Sequence, residues 1–146
     1  MMANDNIFSD LKVVDMASFI AGPSAAVILS DFGAEVIKVE PPTGDPMRSA
    51  FGSLGIGNDF PNPAFGQDNR GKRSVVLDLR EPEARDHLEQ LIASADVFLT
   101  NLRPDALDGL GLEPHATVER HPRLVYCSVS GYGLRGPDRA QKAPMS

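Results

Sequence analysis

Short apolar runs alternate with amphipathic segments along most of the chain. Five runs of five to seven residues, several of them rich in β-branched side chains, predict β-strands at residues 11–15, 34–40, 73–79, 95–100 and 124–129. Segments between them carry apolar residues at helical spacing, as Leu88, Leu91 and Ile92 do. This alternation predicts an α/β fold in which a mostly parallel sheet is covered by helices on both faces.

Proline and glycine set the predicted helix boundaries. Pro23 starts the first helix, because its missing N–H costs nothing at the first helical position, and Gly33 ends that helix. Pro82 starts the helix that leads to the fourth strand. Two short helices are predicted after that strand, the first ended by Gly111 and the second spanning residues 114–120.

Residues 41–66 show no periodic pattern. Five prolines and five glycines among these 26 residues predict a long loop without regular structure. Loops of this length in compact domains are usually functional or disordered, so the segment is either a binding loop or an excursion over a partner. Residues 1–10 are predicted to be a tail, and residues 11–146 a single domain.

The composition is that of one ordinary soluble domain. The chain has 146 residues, 42% of them hydrophobic, and is long enough to bury a core without disulfides or metal. Its single cysteine excludes an internal disulfide, which favours a cytoplasmic protein, and no metal site is predicted. A net charge of −6 disfavours nucleic acid as a partner. No apolar run approaches the length of a membrane span, so no membrane association is predicted.

Basic residues are concentrated in the second half of the chain. Residues 1–68 hold three bases and nine acids, whereas residues 69–146 hold eleven of each. Ligands of parallel sheets bind at the carboxyl ends of the strands. The bases expected at that edge are Lys38, Arg80, Arg103, Arg135 and Lys142. A run of bases, Arg70, Lys72, Arg73 and Arg80, is either a patch for a small anionic ligand or a solvated basic face.

Residues that could carry catalysis have simpler interpretations. Asp15 ends a strand and is expected to bond backbone N–H groups. Cys127 lies in an apolar strand and is expected to be a buried, unreactive thiol. His87, His115 and His121 are expected to face solvent. No catalytic residue is therefore predicted within the chain.

Several blocks of sequence, in order, resemble one known family. The blocks are LKVVD at residues 11–15, AGP at 21–23, DFGAEVIKVEPPTGDPMR at 31–48, NRGKRSVVLDL at 69–79, ADVFLTNLRP at 95–104 and PRLVYCSVSGYGLRGP at 122–137. Together they resemble the N-terminal portion of the class III coenzyme A (CoA) transferases. This CaiB/BaiF-like family also includes formyl-CoA transferase and α-methylacyl-CoA racemase. The resemblance covers about residues 11–143.

The resemblance implies a Rossmann-like, CoA-binding region that forms an incomplete part of a large domain. It implies that Phe19, Ile20 and Ala21 contact CoA, and that Leu77 and Arg80 line its nucleotide end. Asn101, Leu102 and Arg103 would follow CoA along the mouth of the fourth strand. Lys142 and Ala143 would complete the wall.

The resemblance also implies an activity for complete members of the family. They transfer CoA from an acyl-CoA to a carboxylic acid through intermediates on an aspartate, and they form interlocked homodimers. Because that aspartate is expected beyond Ser146, the chain alone is predicted to be inactive, as a natural truncation, the product of a disrupted gene or an excised piece. The alternatives are a fragment of an acyl-CoA racemase and a non-catalytic remnant that serves for binding or dimerisation.

Overall fold

A five-stranded, all-parallel sheet forms the centre of the molecule in a computed structural model, which describes residues 6–50 and 62–139. Its strands are β1 (Lys12–Met16), β2 (Glu35–Glu40), β3 (Arg73–Val76), β4 (Val97–Thr100) and β5 (Val125–Ser128). They are arranged in the order β3-β2-β1-β4-β5. The predicted α/β class and parallel sheet are confirmed.

Helices connect the strands in chain order. They are α1 (Ala21–Asp31), a 3-10 helix (Pro46–Ser49), α2 (Pro63–Asn69), α3 (Pro82–Ala93), α4 (Pro104–Leu110) and α5 (Pro114–Arg120). Helices α3 and α5 begin at the predicted Pro82 and Pro114, whereas α1 begins at Ala21, two residues before the predicted Pro23. Gly111 ends α4 with a φ of 70°, in the left-handed region that glycine tolerates. None of the described helices has the length and apolar character needed to cross a membrane.

Apolar side chains are buried on both faces of the sheet. In β1, Val13 belongs to a cluster with Ala26 of α1, whereas Val14 belongs to a larger cluster with Phe98 and with Ile92 of α3. This division follows from the strand geometry, because successive side chains point to opposite faces. The predicted covering of both faces by helices is therefore observed.

Charged side chains occupy the carboxyl half of the face that α1 covers. The strand register places Asp15 of β1 beside Lys38 of β2, and Lys38 beside Ser74 of β3. Asp15 and Lys38 are both buried, although no apolar cluster includes them. This face is thus apolar where the strands begin and ionic where they end.

Residues 41–66 differ from the predicted loop without regular structure. Within this segment Asp45 and Asn62 each precede a proline and cap a helix, accepting hydrogen bonds from the backbone N–H of Met47 at 2.8 Å and of Phe65 at 3.0 Å. These are the side-chain types and the proline position that favour a helix start, but the helices are too short to show a periodic pattern. Residues 51–61 lie outside the described part of the chain.

The first testable prediction concerns the close contact between the start of α1 and the end of β1. A Cβ added at Gly22 would collide with the side chain of Ala17 and would lie 3.2 Å from Leu99 Cδ2. Because both neighbours are buried, we expect Gly22→Ala to lower the free energy of unfolding by about 1–3 kcal/mol, as measured by urea denaturation.

Gly109 in α4 provides the matched control. No heavy atom of the described residues lies within 4 Å of a Cβ added there. Gly109→Ala is therefore expected to raise the free energy of unfolding by about 0.5–1 kcal/mol through helix propensity. Equal effects of the two substitutions would contradict the close approach at Gly22.

Candidate functional site

Two neighbouring cavities open at the carboxyl ends of the strands. The first, called here the β1–β4 cavity, has a volume of about 420 Å³ and is lined by the segments that follow β1, β4 and β5. In the strand order β3-β2-β1-β4-β5, the chain leaves β1 and β4 toward opposite sides of the sheet. The cavity therefore lies at the switch point where parallel α/β sheets bind ligands.

The second cavity, called here the β2–β3 cavity, has a volume of about 490 Å³ and is more apolar. Val39, Leu77, Leu79 and Leu110 are among its lining residues. Ser18 and Leu102 line both cavities, so the two adjoin and can accommodate one elongated ligand across the carboxyl edge.

The structure brings most of the predicted site residues to this edge. Phe19, Asn101, Leu102 and Arg103 line the β1–β4 cavity, and Leu77, Arg80 and Leu102 line the β2–β3 cavity.

The other predicted site residues lie elsewhere. Ile20 and Ala21 are exposed but are not lining residues of either cavity. Lys142 and Ala143 lie outside the described residues.

The two predicted arginines that line the cavities differ in their surroundings. Arg80 donates from Nε to Asp78 Oδ1 at 2.8 Å and from Nη2 to Asp78 Oδ2 at 2.6 Å. These hydrogen bonds lower the pKa of Asp78 to about 2 and raise that of Arg80. Arg103, by contrast, is exposed directly after β4, and its guanidinium has no hydrogen-bond or ion-pair partner among the described residues. It is therefore the cation more available to an anionic ligand.

The run of bases at residues 70–80 is not an open anion-binding patch. Arg70 pairs with Asp31, Arg73 pairs with Glu35, and Arg80 pairs with Asp78. Lys72 is buried, so a solvated basic face does not describe it either. Arg70, Lys72 and Arg73 each pair with a carboxylate that is distant in sequence. Arg80 pairs with Asp78, two residues before it.

Lys38, predicted among the bases open to a ligand, belongs instead to a buried ionic cluster of two lysines and two aspartates. Lys38 Nζ lies 2.8 Å from Asp45 Oδ2 and 3.9 Å from Asp15 Oδ2, and Lys72 Nζ lies 2.7 Å from Asp15 Oδ2. All four side chains are at most 2% exposed. Burial lowers the pKa of Lys72, and the attraction of Asp15 opposes that shift. The prediction for Lys38 is wrong because its position in the strand directs the ammonium under the loop after β1.

The buried ionic cluster fixes the backbone of that loop. Asp15 Oδ1 accepts a hydrogen bond from Ala17 N–H at 3.1 Å, which confirms the interpretation of Asp15 as a backbone-bonding residue. Lys38 Nζ donates to Ala17 O at 2.8 Å. Asn101 binds both backbone polar groups of Ser18, the residue after Ala17. It accepts a hydrogen bond from Ser18 N–H at 3.0 Å and donates one to Ser18 O at 2.8 Å. The side-chain amide of Asn101 thus positions the loop.

The loop ends in an unusual backbone conformation. Phe19 has a φ of 65°, the only positive value at a non-glycine residue in the described part of the chain. L-residues with side chains rarely adopt this left-handed conformation, so it persists only where surrounding contacts impose it. The contacts at Ala17 and Ser18 supply that constraint at the wall of the β1–β4 cavity.

Glu40 connects the second cavity to the 3-10 helix. Its carboxylate accepts hydrogen bonds from Arg48 Nε and Nη2, both at 2.7 Å, from Ser74 Oγ at 2.6 Å and from Asp45 N–H at 3.0 Å. The Arg48 hydrogen bond contributes most to lowering the pKa of Glu40 to about 2, and it outweighs the opposing effect of burial. Arg48 also stacks 3.8 Å above the ring of Phe65 in α2.

The histidines and the cysteine lie away from both cavities. His87 and His115 are exposed, as predicted. His121 is not: its side chain is 16% exposed, and Nε2 lies 2.8 Å from Glu89 Oε1, because the turn before β5 folds it against α3. Cys127 is half-buried in β5. Within residues 6–50 and 62–139, no three His, Cys, Asp or Glu side chains are grouped as metal ligands.

Comparison with known proteins gives one consistent result. Residues 8–144 match the model of CoA-transferase family III. The chain is 40% identical to the cinnamoyl-CoA:phenyllactate CoA-transferase of Clostridium sporogenes over 95% of its own length and 34% of that enzyme's length. It is 38% identical to the succinate–glutarate CoA-transferase of Agrobacterium fabrum, over 88% of this chain and 33% of that enzyme.

Solved structures agree with the sequence matches. The hypothetical protein Rv3272 from Mycobacterium tuberculosis superposes with a TM-score of 0.83 and 35% identity, over 94% of this chain and 37% of that one. A CaiB/BaiF family protein from Brucella suis superposes with a TM-score of 0.81 and 38% identity, over 90% of this chain and 35% of that one. The chain therefore spans about a third of the length of the relatives it matches.

A second testable prediction follows from the low pKa of Glu40. Its folded pKa of about 2 lies below the ordinary value of 4.5, so its ionised form stabilises the fold above pH 4.5 and this stabilisation is lost as the pH falls toward 2. We expect Glu40→Gln to lower the free energy of unfolding at pH 7 by about 2 kcal/mol, after allowance for the half-exposed Arg48.

The difference in the free energy of unfolding between wild type and Glu40→Gln should become smaller as the pH is lowered from 4.5 to 2. Urea denaturation at several pH values would measure this difference. Glu119→Gln is the control, because Glu119 is exposed and its one ion pair among the described residues is with His115, at 3.5 Å. A difference in the free energy of unfolding that stays constant across this pH range would contradict the lowered pKa of Glu40.

Proposed function

Because the chain belongs to CoA-transferase family III, we propose that it forms the CoA-binding groove of a CoA-transferase. The observation that carries the proposal is the pair of adjoining cavities at the carboxyl edge of the sheet, one of them lined by Arg103, which has no ion-pair partner within residues 6–50 and 62–139. CoA combines an adenine ring, phosphates and a long pantetheine arm, so it requires an elongated groove with both apolar and cationic parts.

The two cavities suit different parts of CoA. The β2–β3 cavity presents apolar side chains, among them Leu77 and Leu79, which suit the face of an adenine ring. Arg80 lies at this cavity and is assigned to the nucleotide end. Leu102, which lines both cavities, would contact the ligand where it passes from one to the other.

Arg103 is assigned to a phosphate of CoA. Its fork of N–H donors matches phosphate oxygens, and no carboxylate among the described residues competes for it. Arg80 must exchange its hydrogen bonds with Asp78 to do the same, so its net contribution is expected to be smaller.

The remaining predicted contacts have different kinds of support. Phe19 lines the β1–β4 cavity at the end of the loop after β1. Ile20 and Ala21, exposed at the start of α1, and Lys142 and Ala143 are assigned to CoA on the family resemblance alone.

Transfer of CoA from an acyl-CoA to a carboxylic acid is proposed as the activity of a protein that contains this region. The relatives described above are named as CoA-transferases, which favours transfer over racemisation. Asp15 and Asp45 are buried in ion pairs and Asp78 is paired with Arg80. We therefore propose that the aspartate carrying the family's acyl intermediates is not among these three.

A homodimer in the cytoplasm is proposed as the setting of this activity. Ile28 and Phe32, one turn apart in and after α1, remain 56% and 48% exposed. Neighbouring apolar side chains on a helix surface are typical of a face that another chain or segment covers.

A third testable prediction concerns the affinity of the chain for CoA. Isothermal titration calorimetry with CoA should show binding, and Arg103→Ala should weaken it about tenfold, the loss of one charged hydrogen-bonding group. Arg80→Ala should weaken it less, because removing Arg80 also removes its pairing with Asp78.

Arg123→Ala is the matched control for both variants. Arg123 is also an exposed arginine, but it precedes β5 and so lies at the opposite edge of the sheet. Its substitution should leave the affinity unchanged. Absence of heat at millimolar CoA would refute the proposal, and equal losses in the three variants would refute the assignment of Arg103.

A further inference from the structure

We propose that Asp45 is a positioning residue that holds two walls of the CoA groove in place. The inference rests on the proposed function, since it concerns the same groove. Asp45 does not line either cavity, and it lies in a segment whose composition predicts only an irregular loop. Its contacts nevertheless connect three parts of the site.

The two side-chain oxygens of Asp45 have different partners: Oδ1 makes hydrogen bonds, and Oδ2 makes an ion pair without hydrogen-bond geometry. Oδ1 accepts from Met47 N–H at 2.8 Å and lies 3.4 Å from Phe19 N–H, and Oδ2 faces Lys38 Nζ at 2.8 Å. The backbone N–H of Asp45 donates to Glu40 Oε2 at 3.0 Å. One carboxylate, 1% exposed, therefore joins the loop after β1 to the start of the 3-10 helix.

Both ends of this connection belong to the groove. Phe19 and Pro46 line the β1–β4 cavity, and each is directly bonded to Asp45, Phe19 through its N–H and Pro46 as the next residue in the chain. Without the carboxylate, the two walls would lose this shared attachment. The left-handed backbone at Phe19 would also lose the acceptor that its own N–H faces.

Lys38 explains why this position requires a carboxylate. Its ammonium donates to Ala17 O and is buried between Asp15 and Asp45. A buried charge needs a counter-charge with fixed geometry. The ion pair thus restrains the Asp45 carboxylate, which in turn restrains Phe19 and the 3-10 helix.

The variants that test this role separate helix capping from attachment of the loop. Serine caps helices well, so Asp45→Ser should keep the hydrogen bond to Met47 N–H, but its side chain is too short to reach Phe19 or Lys38. Asp45→Asn keeps an oxygen that can accept from both N–H groups while losing the charge. Ile92→Val, a change in the buried core on α3, lowers stability in another part of the fold and serves as the control for a general loss of stability.

The experiment measures CoA affinity by calorimetry on the full chain at a temperature where every variant is folded. We expect Asp45→Ser to bind about tenfold more weakly than wild type, Asp45→Asn to lie between them, and Ile92→Val to bind as wild type does. Wild-type affinity in Asp45→Ser, or an equal loss in Ile92→Val, would overturn the proposal.

Hydrogen exchange in the wild-type chain keeps the proposal falsifiable if Asp45→Ser does not fold. The Phe19 amide should exchange slowly without CoA, and exchange at the rate of an unstructured amide would overturn the proposal. Failure of wild type to bind CoA would overturn the proposed function, and with it the role given to Asp45. If wild type binds CoA and Asp45→Ser binds it equally well, only the role of Asp45 is overturned.

Discussion

Two lysines buried beneath the carboxyl edge of the sheet impose the constraint on which the site depends. Lys38 and Lys72 have lost their hydration, and each is retained only because carboxylates and carbonyl oxygens surround its ammonium. Asp15 serves both lysines, since its Oδ2 lies 2.7 Å from Lys72 and 3.9 Å from Lys38. Satisfying these charges fixes the positions of β1, β2, α1 and α2 relative to one another at the end of the sheet where the cavities open.

The same cluster prepares the groove before any ligand arrives. Successive residues of the loop after β1 are held by Asp15 and Lys38 at Ala17, and by Asn101 at Ser18. A loop fixed in this way loses little conformational freedom on binding, so more of the contact energy appears as affinity. The charges of the cluster cancel internally. Arg103 differs from these charges, because it lines the β1–β4 cavity and has no ion-pair partner among the described residues.

Much of the fold and part of the site follow from local sequence signals. The five strands appear within one to three residues of their predicted positions, because parallel strands buried on both faces need apolar runs. Arg103 and Leu77 reach the predicted edge because each lies within three residues after the end of a strand. The sequence pattern does not predict the 3-10 helix or α2, because each is marked only by a capping residue followed by a proline and not by a repeating pattern. Asp45 as a site residue was missed with them.

The sequence by itself determined the order of strands and helices, the edge of the sheet at which the cavities open and the resemblance to a CoA-transferase family. Only the tertiary structure decided which bases are open at that edge. Lys38, Lys72 and Arg103 all appear in the sequence as cations near strands, yet the first two are buried against aspartates and the third is exposed, with no partner in the described part of the chain. The physical reason is that an ion pair depends on distance in space. Lys72 and Asp15 are 57 residues apart in the chain and 2.7 Å apart in the fold.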